Sequence, residues 1–118
     1  MTVTLGQIVA LLDGFYPPGS ALSWDRVGLV TGDPDQPIEH VRFAVDPTLA
    51  VIDEAIAAGA DLLVTHHPLL LRGIHSVATT TAKGRAVTRA VVADLAILCV
   101  HTNADVADPG VCDALAAA

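Results

Sequence analysis

The spacing of apolar residues near the N-terminus predicts an amphipathic helix that begins after Thr4. Thr4 and Gln7 match a capping box, in which side chains three residues apart accept hydrogen bonds from each other's backbone N–H groups. The apolar residues that follow recur at the spacing of one helical face: Ile8, Leu11, Leu12 and Phe15. Prolines and a glycine at residues 17–19 are expected to end this helix, and residues 24–30 contain a short strand pattern.

Three apolar segments farther along the chain predict buried strands, at residues 41–45, 61–65 and 95–100. Helical patterns separate them, so the order is strand, helix, strand, helix, strand. Two consecutive β-α-β units imply parallel strands joined by right-handed crossovers. The predicted fold is therefore α/β, with a parallel-strand βαβαβ core and flanking helices.

Local signals predict where these helices begin and end. Asp46-Pro47 combines a favoured N-cap residue with a favoured first helical residue, and Gly59 is a natural residue just after a helix end. Asp108-Pro109 repeats the starting signal and predicts a last helix that runs to the end of the sequence. A further helix is predicted over residues 81–93, with two valines facing inward, Val87 and Val91.

Composition supports a globular domain and narrows the classes of partner. Of 118 residues, 53% are hydrophobic and 16% charged, which excludes a disordered chain. The net charge of −7 argues against a surface for nucleic acid or for an anionic membrane, and it suits a protein that binds cations. No apolar stretch approaches the roughly 20 residues of a membrane span, and no signal peptide is recognisable, so the cytoplasm is the expected location.

The two cysteines, Cys99 and Cys112, do not form a C-x-x-C pair, so neither a disulfide scaffold nor a zinc ribbon is expected. Cys99 lies in an apolar run and is interpreted as a small core residue. Trp24 is interpreted as a core residue as well, in preference to a stacking platform for a base.

Residues with metal-binding chemistry follow the predicted strands. His66 and His67 come directly after the second strand, His101 and Asp105 follow the third, and Asp46 ends the first. The carboxyl ends of parallel strands share one edge of a sheet, where open α/β sheets bind their ligands. Imidazole nitrogens and carboxylate oxygens are the usual ligands of Zn, Mn, Fe or Ni ions. The pattern therefore indicates a divalent-metal site at this edge.

The residues alone also allow simpler interpretations. A single histidine at a strand end is more often a hydrogen-bonded polar residue than a metal ligand. Asp46 is explained by its N-cap position, although a carboxylate there could instead orient a ligand histidine. A cationic helix segment could meet a nucleotide phosphate or be a solvated face: Lys83, Arg85 and Arg89. His40 is interpreted as a surface residue, and His75 could close over the site but is more simply a loop residue without a role.

Four segments resemble one known family, in the same order and over nearly the whole chain. They are SWDRVGL at residues 23–29, GADLLVTHHPL at 59–69, TAKGR at 81–85 and HTNAD at 101–105. They are similar to the NIF-three-like dinuclear-metal family, whose members are known as GTP cyclohydrolase I type 2 homologs. The His-His-Pro and His-Thr-Asn-x-Asp motifs at this spacing carry the resemblance.

The resemblance implies two divalent metal ions about 4 Å apart in a complete site. By position, His66, His67 and Asp105 correspond to ligands, and His101 either binds or lines the site. The implied activity is hydrolysis, with metal-bound hydroxide as the nucleophile. In the cyclohydrolase version the hydroxide attacks the purine ring carbon between two nitrogens, so the implied substrate is a nucleotide or another small molecule.

Family members are longer than this chain, and their second lobe supplies a further His and a Glu to the metal pair. Residues 106–118 contain no His-x-x-x-Glu pattern. The resemblance therefore implies that residues 1–118 are the first, N-terminal lobe of a two-lobe fold, with the C-terminal lobe absent. Three functions follow as alternatives: a metal-dependent hydrolase, a non-catalytic metal-binding module for regulation or assembly, and an inactive fragment that lacks half of the site.

Self-association is a further expectation. Family members are thought to form ring-like oligomers, and a lobe without its partner exposes apolar surface. Residues 114–118 are expected to belong to such a surface. We therefore predict a homo-oligomer whose interface lies near the metal-site edge.

Overall fold

The computed structural model describes residues 2–118, which form alternating strands and helices. In chain order the elements are β1 (Val3–Thr4), α1 (Leu5–Phe15), β2 (Gly28–Thr31), β3 (Pro37–Ile38), β4 (Val41–Ala44), α2 (Leu49–Ala57), β5 (Leu62–Thr65), α3 (Ala82–Val92), β6 (Ala96–Cys99), α4 (Thr102–Val106) and α5 (Val111–Ala117). A short 3-10 turn at Pro18–Ser20 follows α1. The capping box predicted at the start of α1 is present, with Thr4 and Gln7 bonded to each other's backbone N–H groups.

The central sheet has four strands in the order β2-β6-β5-β4. Strands β4, β5 and β6 are parallel and adjacent, which confirms the predicted βαβαβ core. Strand β2 lies antiparallel beside β6, and the short strands β1 and β3 form a separate antiparallel pair. The fold is thus mixed α/β with a mostly parallel sheet and flanking helices.

Both faces of this sheet are covered by apolar side chains, as expected for parallel strands. On one face Leu63 and Ile97 pack with Ile52 of α2 and Ala90 of α3. The other face forms a second cluster around Leu5, the first residue of α1: it contains Ile38, Leu62, Val64, Ala96 and Leu98. Cys99 is fully buried, as predicted. None of the helices within residues 2–118 is long and apolar enough to cross a membrane.

Two predicted helix starts are wrong. Helix α2 begins at Leu49 rather than at Pro47, because Thr48 is its N-cap and its side chain accepts a hydrogen bond from the Val51 N–H. Asp46 is not the N-cap, because its carboxylate contacts a histidine instead. The last helix begins at Val111, since an unpredicted helix, α4, already occupies residues 102–106 and a turn must separate the two.

The inward face of α3 also differs from the prediction. Val91 is 57% exposed, whereas Ala86 and Ala90, four residues apart, face the core and Val87 packs beside them only in part. Small residues let the helix approach its surroundings closely. A Cβ at Gly84 would lie 2.0 Å from the carbonyl oxygen of Ala78, so only glycine fits there.

Candidate metal centre

The register of the sheet brings three chain segments to one edge. Ala44 pairs with Thr65, and Thr65 pairs with Cys99, so β4, β5 and β6 end level with one another. Backbone bonds continue past these ends, with the N–H groups of His66 and His67 donating to the carbonyl oxygens of Ala44 and Val45. The residues that leave the three strands therefore lie side by side.

Three of the five histidines meet at this edge, each coming from a strand exit. The ring centroids of His66, His67 and His101 are 5.0 to 5.5 Å apart in all three pairs. One ring nitrogen from each can be chosen so that all three atoms lie within 4.8 Å of one another. The His66 and His101 side chains are 25% and 17% exposed, and that of His67 is 48% exposed, so the cluster opens to solvent on the His67 side.

Every one of these rings has its Nδ1 atom engaged by an oxygen of the protein. His66 Nδ1 lies 3.1 Å from the Val100 carbonyl oxygen. His67 Nδ1 lies 2.5 Å from Asp46 Oδ1, and His101 Nδ1 lies 3.1 Å from Asp25 Oδ1. Carbonyl and carboxylate oxygens only accept hydrogen bonds, so each Nδ1 must donate. In a neutral ring this leaves the lone pair on Nε2, the atom that a metal ion would bind.

Asp105 joins the cluster through helix α4. Its Oδ1 atom lies 3.6 Å from His66 Nε2, which is too long for a hydrogen bond. Two ligands about 2.1 Å from one ion are roughly 3.0 to 3.4 Å apart at tetrahedral or octahedral angles, so the two atoms lie within a few tenths of an ångström of the separation that a single ion requires. Helix α4 is anchored by Asn103, whose side chain accepts from the His101 N–H and donates to the Tyr16 carbonyl oxygen.

Asp25 contacts the histidine cluster, although the sequence analysis did not single it out. Its side chain is fully buried and each carboxylate oxygen accepts two hydrogen bonds. Oδ1 accepts from the Arg26 N–H at 2.8 Å and from His101, and Oδ2 accepts from the Thr102 N–H at 3.1 Å and from the Thr102 hydroxyl at 2.6 Å. Asp25 belongs to the SWDRVGL segment at residues 23–29, so the family resemblance of that segment was the signal that could have identified it.

The hydrogen bonds also determine the charge of this carboxyl. Burial by itself raises the pKa of Asp25, but the hydrogen bonds from Thr102, His101 and Arg26 outweigh this effect and lower the pKa to about 2. The group is therefore ionised at neutral pH. It places a fixed negative charge behind the His101 ring, on the side away from the Nε2 lone pair.

Two interpretations of the sequence are corrected at this site. Asp46 orients His67 rather than capping a helix, because the strand end carries it to the shared edge. Trp24 is 54% exposed and not a core residue, because the neighbouring Asp25 side chain turns inward to Thr102 and leaves Trp24 toward solvent. The Trp24 ring stands edge-on to His101, with ring centroids 6.0 Å apart.

The cationic helix segment is bound to the protein itself. Lys83 Nζ donates to the Leu69 carbonyl oxygen at 2.6 Å, and Arg89 pairs with Asp53 at 2.8 Å. Arg85 donates to the Thr79 carbonyl oxygen at 3.3 Å. These contacts favour the solvated-face interpretation over a phosphate site. His40 and His75 are not members of the histidine group.

An apolar cleft of about 680 Å³ borders the cluster. His66 and Asp105 line it together with residues from three helices and from the exit of β4. Its exposed apolar side chains include Phe15, Phe43 and Leu115. A ligand in this cleft would thus have polar, metal-binding groups within its reach and a largely apolar wall around it.

Comparison with known proteins identifies the family to which this sequence is similar. The family described as Duf34/NIF3 (NGG1p interacting factor 3) matches residues 3–118. The "GTP cyclohydrolase 1 type 2 homolog" of Streptomyces coelicolor is 54% identical over 114 residues, which are 97% of this chain and 40% of that protein. The Mycobacterium tuberculosis protein of the same name is 52% identical over 116 residues, 98% of this chain and 30% of its own length.

Solved structures share the fold. A Bacillus cereus protein related to NIF3 superposes with a TM-score of 0.92 at 37% identity, covering 99% of this chain and 32% of that protein. Reduced HcgD from Methanocaldococcus jannaschii superposes with a TM-score of 0.91 at 33% identity, covering 99% of this chain and 47% of its own. The chain thus spans less than half the length of each of these relatives.

Proposed function

Since this chain belongs to the Duf34/NIF3 family, we propose that it holds divalent metal ions on His66, His67, His101 and Asp105 and serves metal-dependent hydrolysis. The ions proposed are Zn, Mn, Fe or Ni, with two in a complete site. The family resemblance supplies the hydrolase class, and the side-chain geometry supports the ligand set.

The proposal rests on one feature that the three histidine rings share, the hydrogen bond made by Nδ1. Each Nδ1 donates to a protein oxygen, and each Nε2 is left free for an ion. Rings held in this way lose little conformational freedom on binding, and an oxygen behind the ring makes the imidazole a stronger ligand. Histidines that merely satisfied their own polar groups would not need to converge within 4.8 Å.

Three carboxylates surround the rings and favour a cation there. Asp105 offers a ligand oxygen, and Asp25 and Asp46 stand behind His101 and His67. When bound, such ions act as Lewis acids and supply a hydroxide nucleophile near neutral pH. The protein's own part is to hold the four ligands, keep their lone pairs aimed inward and present the substrate through the adjoining cleft.

For the substrate we propose a nucleotide or a related small molecule that enters the 680 Å³ cleft. This rests on the name of the relatives, "GTP cyclohydrolase 1 type 2 homolog", and therefore on similarity alone. The exposed Trp24 beside His101 offers a flat face to a heterocyclic ring at the rim of the site. The chain spans 40% of the Streptomyces coelicolor protein, so activity of a whole protein belongs to the proposal as well.

A non-catalytic metal-binding module is the second candidate. The 48% exposure of the His67 side chain favours it, because catalytic sites gain much of their power by excluding water. A scaffold that uses a bound ion for regulation or assembly has no need of such exclusion. The same four ligands serve either function, so turnover and not binding separates the two.

Metal content per purified chain tests the shared part of both candidates. After dialysis with Zn²⁺, Mn²⁺, Fe²⁺ or Ni²⁺, elemental analysis is expected to find bound metal on the unaltered chain and little on a His66→Ala, Asp105→Ala double variant. Equal metal on both proteins would refute the ligand set.

Hydrolysis of GTP, assayed beside the Streptomyces coelicolor relative, then separates enzyme from module. Release of formate favours the enzyme, and binding without turnover favours the module.

A further inference from the structure

We infer that Asp25 is a positioning residue that holds His101 in the Nδ1–H tautomer before any metal binds. The inference rests on the proposed metal site, since it explains how one ligand of that site is prepared. The buried Asp25 carboxylate contacts two neighbouring residues of the HTNAD segment, His101 and Thr102.

Both oxygens of Asp25 face groups that can only donate. The Arg26 N–H points at Oδ1 and the Thr102 N–H points at Oδ2, at 2.8 and 3.1 Å. Backbone N–H groups cannot reverse their role, so they require acceptors at both positions. His101 Nδ1, 3.1 Å from Oδ1, therefore has to donate its hydrogen to the same oxygen.

The backbone of His101 is held as well as its ring. Its backbone N–H donates to the Asn103 side chain at 2.9 Å, which fixes the start of α4. Asp25 binds both residues at this start, His101 and Thr102, so the ring and the helix are held by one group. The ring centroids of His66 and His67 lie 5.0 and 5.5 Å from that of His101, and a ring nitrogen of each lies within 4.8 Å of the others.

Asp25 differs from the other two Nδ1 partners in kind and in setting. The Val100 oxygen behind His66 is an uncharged carbonyl, and the Asp46 carboxylate behind His67 is 59% exposed. Only Asp25 combines a negative charge with complete burial of its side chain. Water does not screen the charge there, so the electrostatic support for a ring that donates electron density to an ion, and becomes more positive itself, is largest at His101.

The replacement Asp25→Asn tests this directly. An amide has one acceptor oxygen and one NH2 group, so one of its two ends must oppose an N–H donor. With the NH2 group toward His101 the ring is pushed to the Nε2–H tautomer, and with the NH2 group toward Thr102 the negative charge behind the ring is still lost. The expected effect is a loss of metal affinity of about 10- to 100-fold, as for other residues that support a ligand histidine.

Thr102→Ala is the matched control. It removes the hydroxyl that donates to Asp25 at 2.6 Å and accepts from the Leu22 N–H at 2.9 Å, but it leaves the Asp25–His101 contact in place. It is expected to weaken the same network and lower stability, with metal affinity within about threefold of the unaltered chain. An equal loss of affinity in both variants would overturn the inference and assign Asp25 a purely structural role.

A second measurement does not depend on either variant folding. Long-range proton–nitrogen NMR correlations of the unaltered, metal-free protein report which ring nitrogen carries hydrogen, and a His101→Gln variant assigns the signal. The expected result is hydrogen on Nδ1 of His101 without metal; hydrogen on Nε2 would overturn the inference. Absence of metal binding by a chain that shows Nδ1–H would count against the proposed function alone, so the two failures are distinguishable.

Discussion

The Oδ1 atom of Asp46 lies 2.5 Å from Nδ1 of His67, in a pair whose side chains are 59% and 48% exposed. Such exposed pairs contribute at most about 1 kcal/mol, a factor of about five in affinity. Asp46→Asn is therefore expected to weaken metal binding by about fivefold or less, and less again in concentrated salt, which screens exposed charges. Calorimetric titration at two salt concentrations measures this. If Asp46→Asn lowered the affinity as much as Asp25→Asn, solvent exposure would not explain a difference in strength between the Asp46–His67 and Asp25–His101 pairs.

His67→Ala is expected to lower metal affinity by at least about 100-fold, because it removes a proposed ligand rather than a supporting residue. The free energy of unfolding should change by no more than about 0.5 kcal/mol, since the side chain is half exposed. Metal titration and urea unfolding give the two values. The exposed His75, which is outside the cluster, supplies the matched control through His75→Ala. Unfolding of the His67 variant would mean that the ring is structural.

Trp24 should report metal binding by its fluorescence. It is the single tryptophan of the chain, and its ring centroid lies 6.0 Å from that of His101. Ni²⁺ or Co²⁺ bound to His101 is expected to quench the emission in a saturable manner. Zn²⁺ has a filled d shell and serves as the control, because it should compete for the site and restore the signal. Quenching that persists in excess Zn²⁺ would place the ion elsewhere.

Thiol labelling tests the packing behind the site. Cys99 is fully buried and Cys112 is exposed. A thiol reagent is expected to label only Cys112 in the folded protein and both cysteines after denaturation. A Cys112→Ser variant should therefore stay unlabelled until it unfolds. Rapid labelling of that folded variant would contradict the buried position of β6.

Cys99 also predicts a loss of stability in alkaline solution. Burial and, to a lesser degree, the Asp25 charge raise the pKa of its thiol to about 12, against the opposing effect of a bond with Thr65. An unfolded thiol ionises near pH 8.5. As the pH rises between these values the unfolded state releases its proton first, so the free energy of unfolding falls by about 1.4 kcal/mol per pH unit from this group. Urea unfolding of the unaltered chain and of Cys99→Ala at pH 8 and 10 should show a smaller fall in the variant.

Self-association through the open edge of strand β4 and its exposed apolar neighbours is the remaining prediction. Phe43 is 75% exposed on the edge strand β4, and Phe15 and Leu115 are 60% and 72% exposed beside it. An open strand edge with apolar neighbours favours pairing with a second copy. Light scattering at micromolar concentration is expected to find a dimer or a larger assembly. Phe43→Glu should shift it toward the monomer, whereas the exposed Val92→Glu on α3 should not; a monomeric unaltered chain would refute the prediction.

The parallel core could be predicted from the sequence alone, and so could the sheet edge at which the histidines meet. Apolar runs separated by helical patterns predict β-α-β units, and a helical crossover between neighbouring strands makes those strands parallel. Once the strands are parallel, residues just after their ends must share an edge, so His66 and His101 could be expected together although 35 positions separate them. A local cap was equally readable where nothing competed for the side chain, as at Thr4.

The partners of the polar side chains at this edge depend on the tertiary structure. Asp46 could cap a helix or orient His67, and only the register of β4 against β5 brings it to the ring. Asp25 and Thr102 are 77 positions apart, and no local pattern contains their contact. Trp24 faces solvent because its neighbour turns inward. These outcomes depend on long-range packing, in which a polar side chain takes the partner that burial brings within reach rather than the nearest one along the chain.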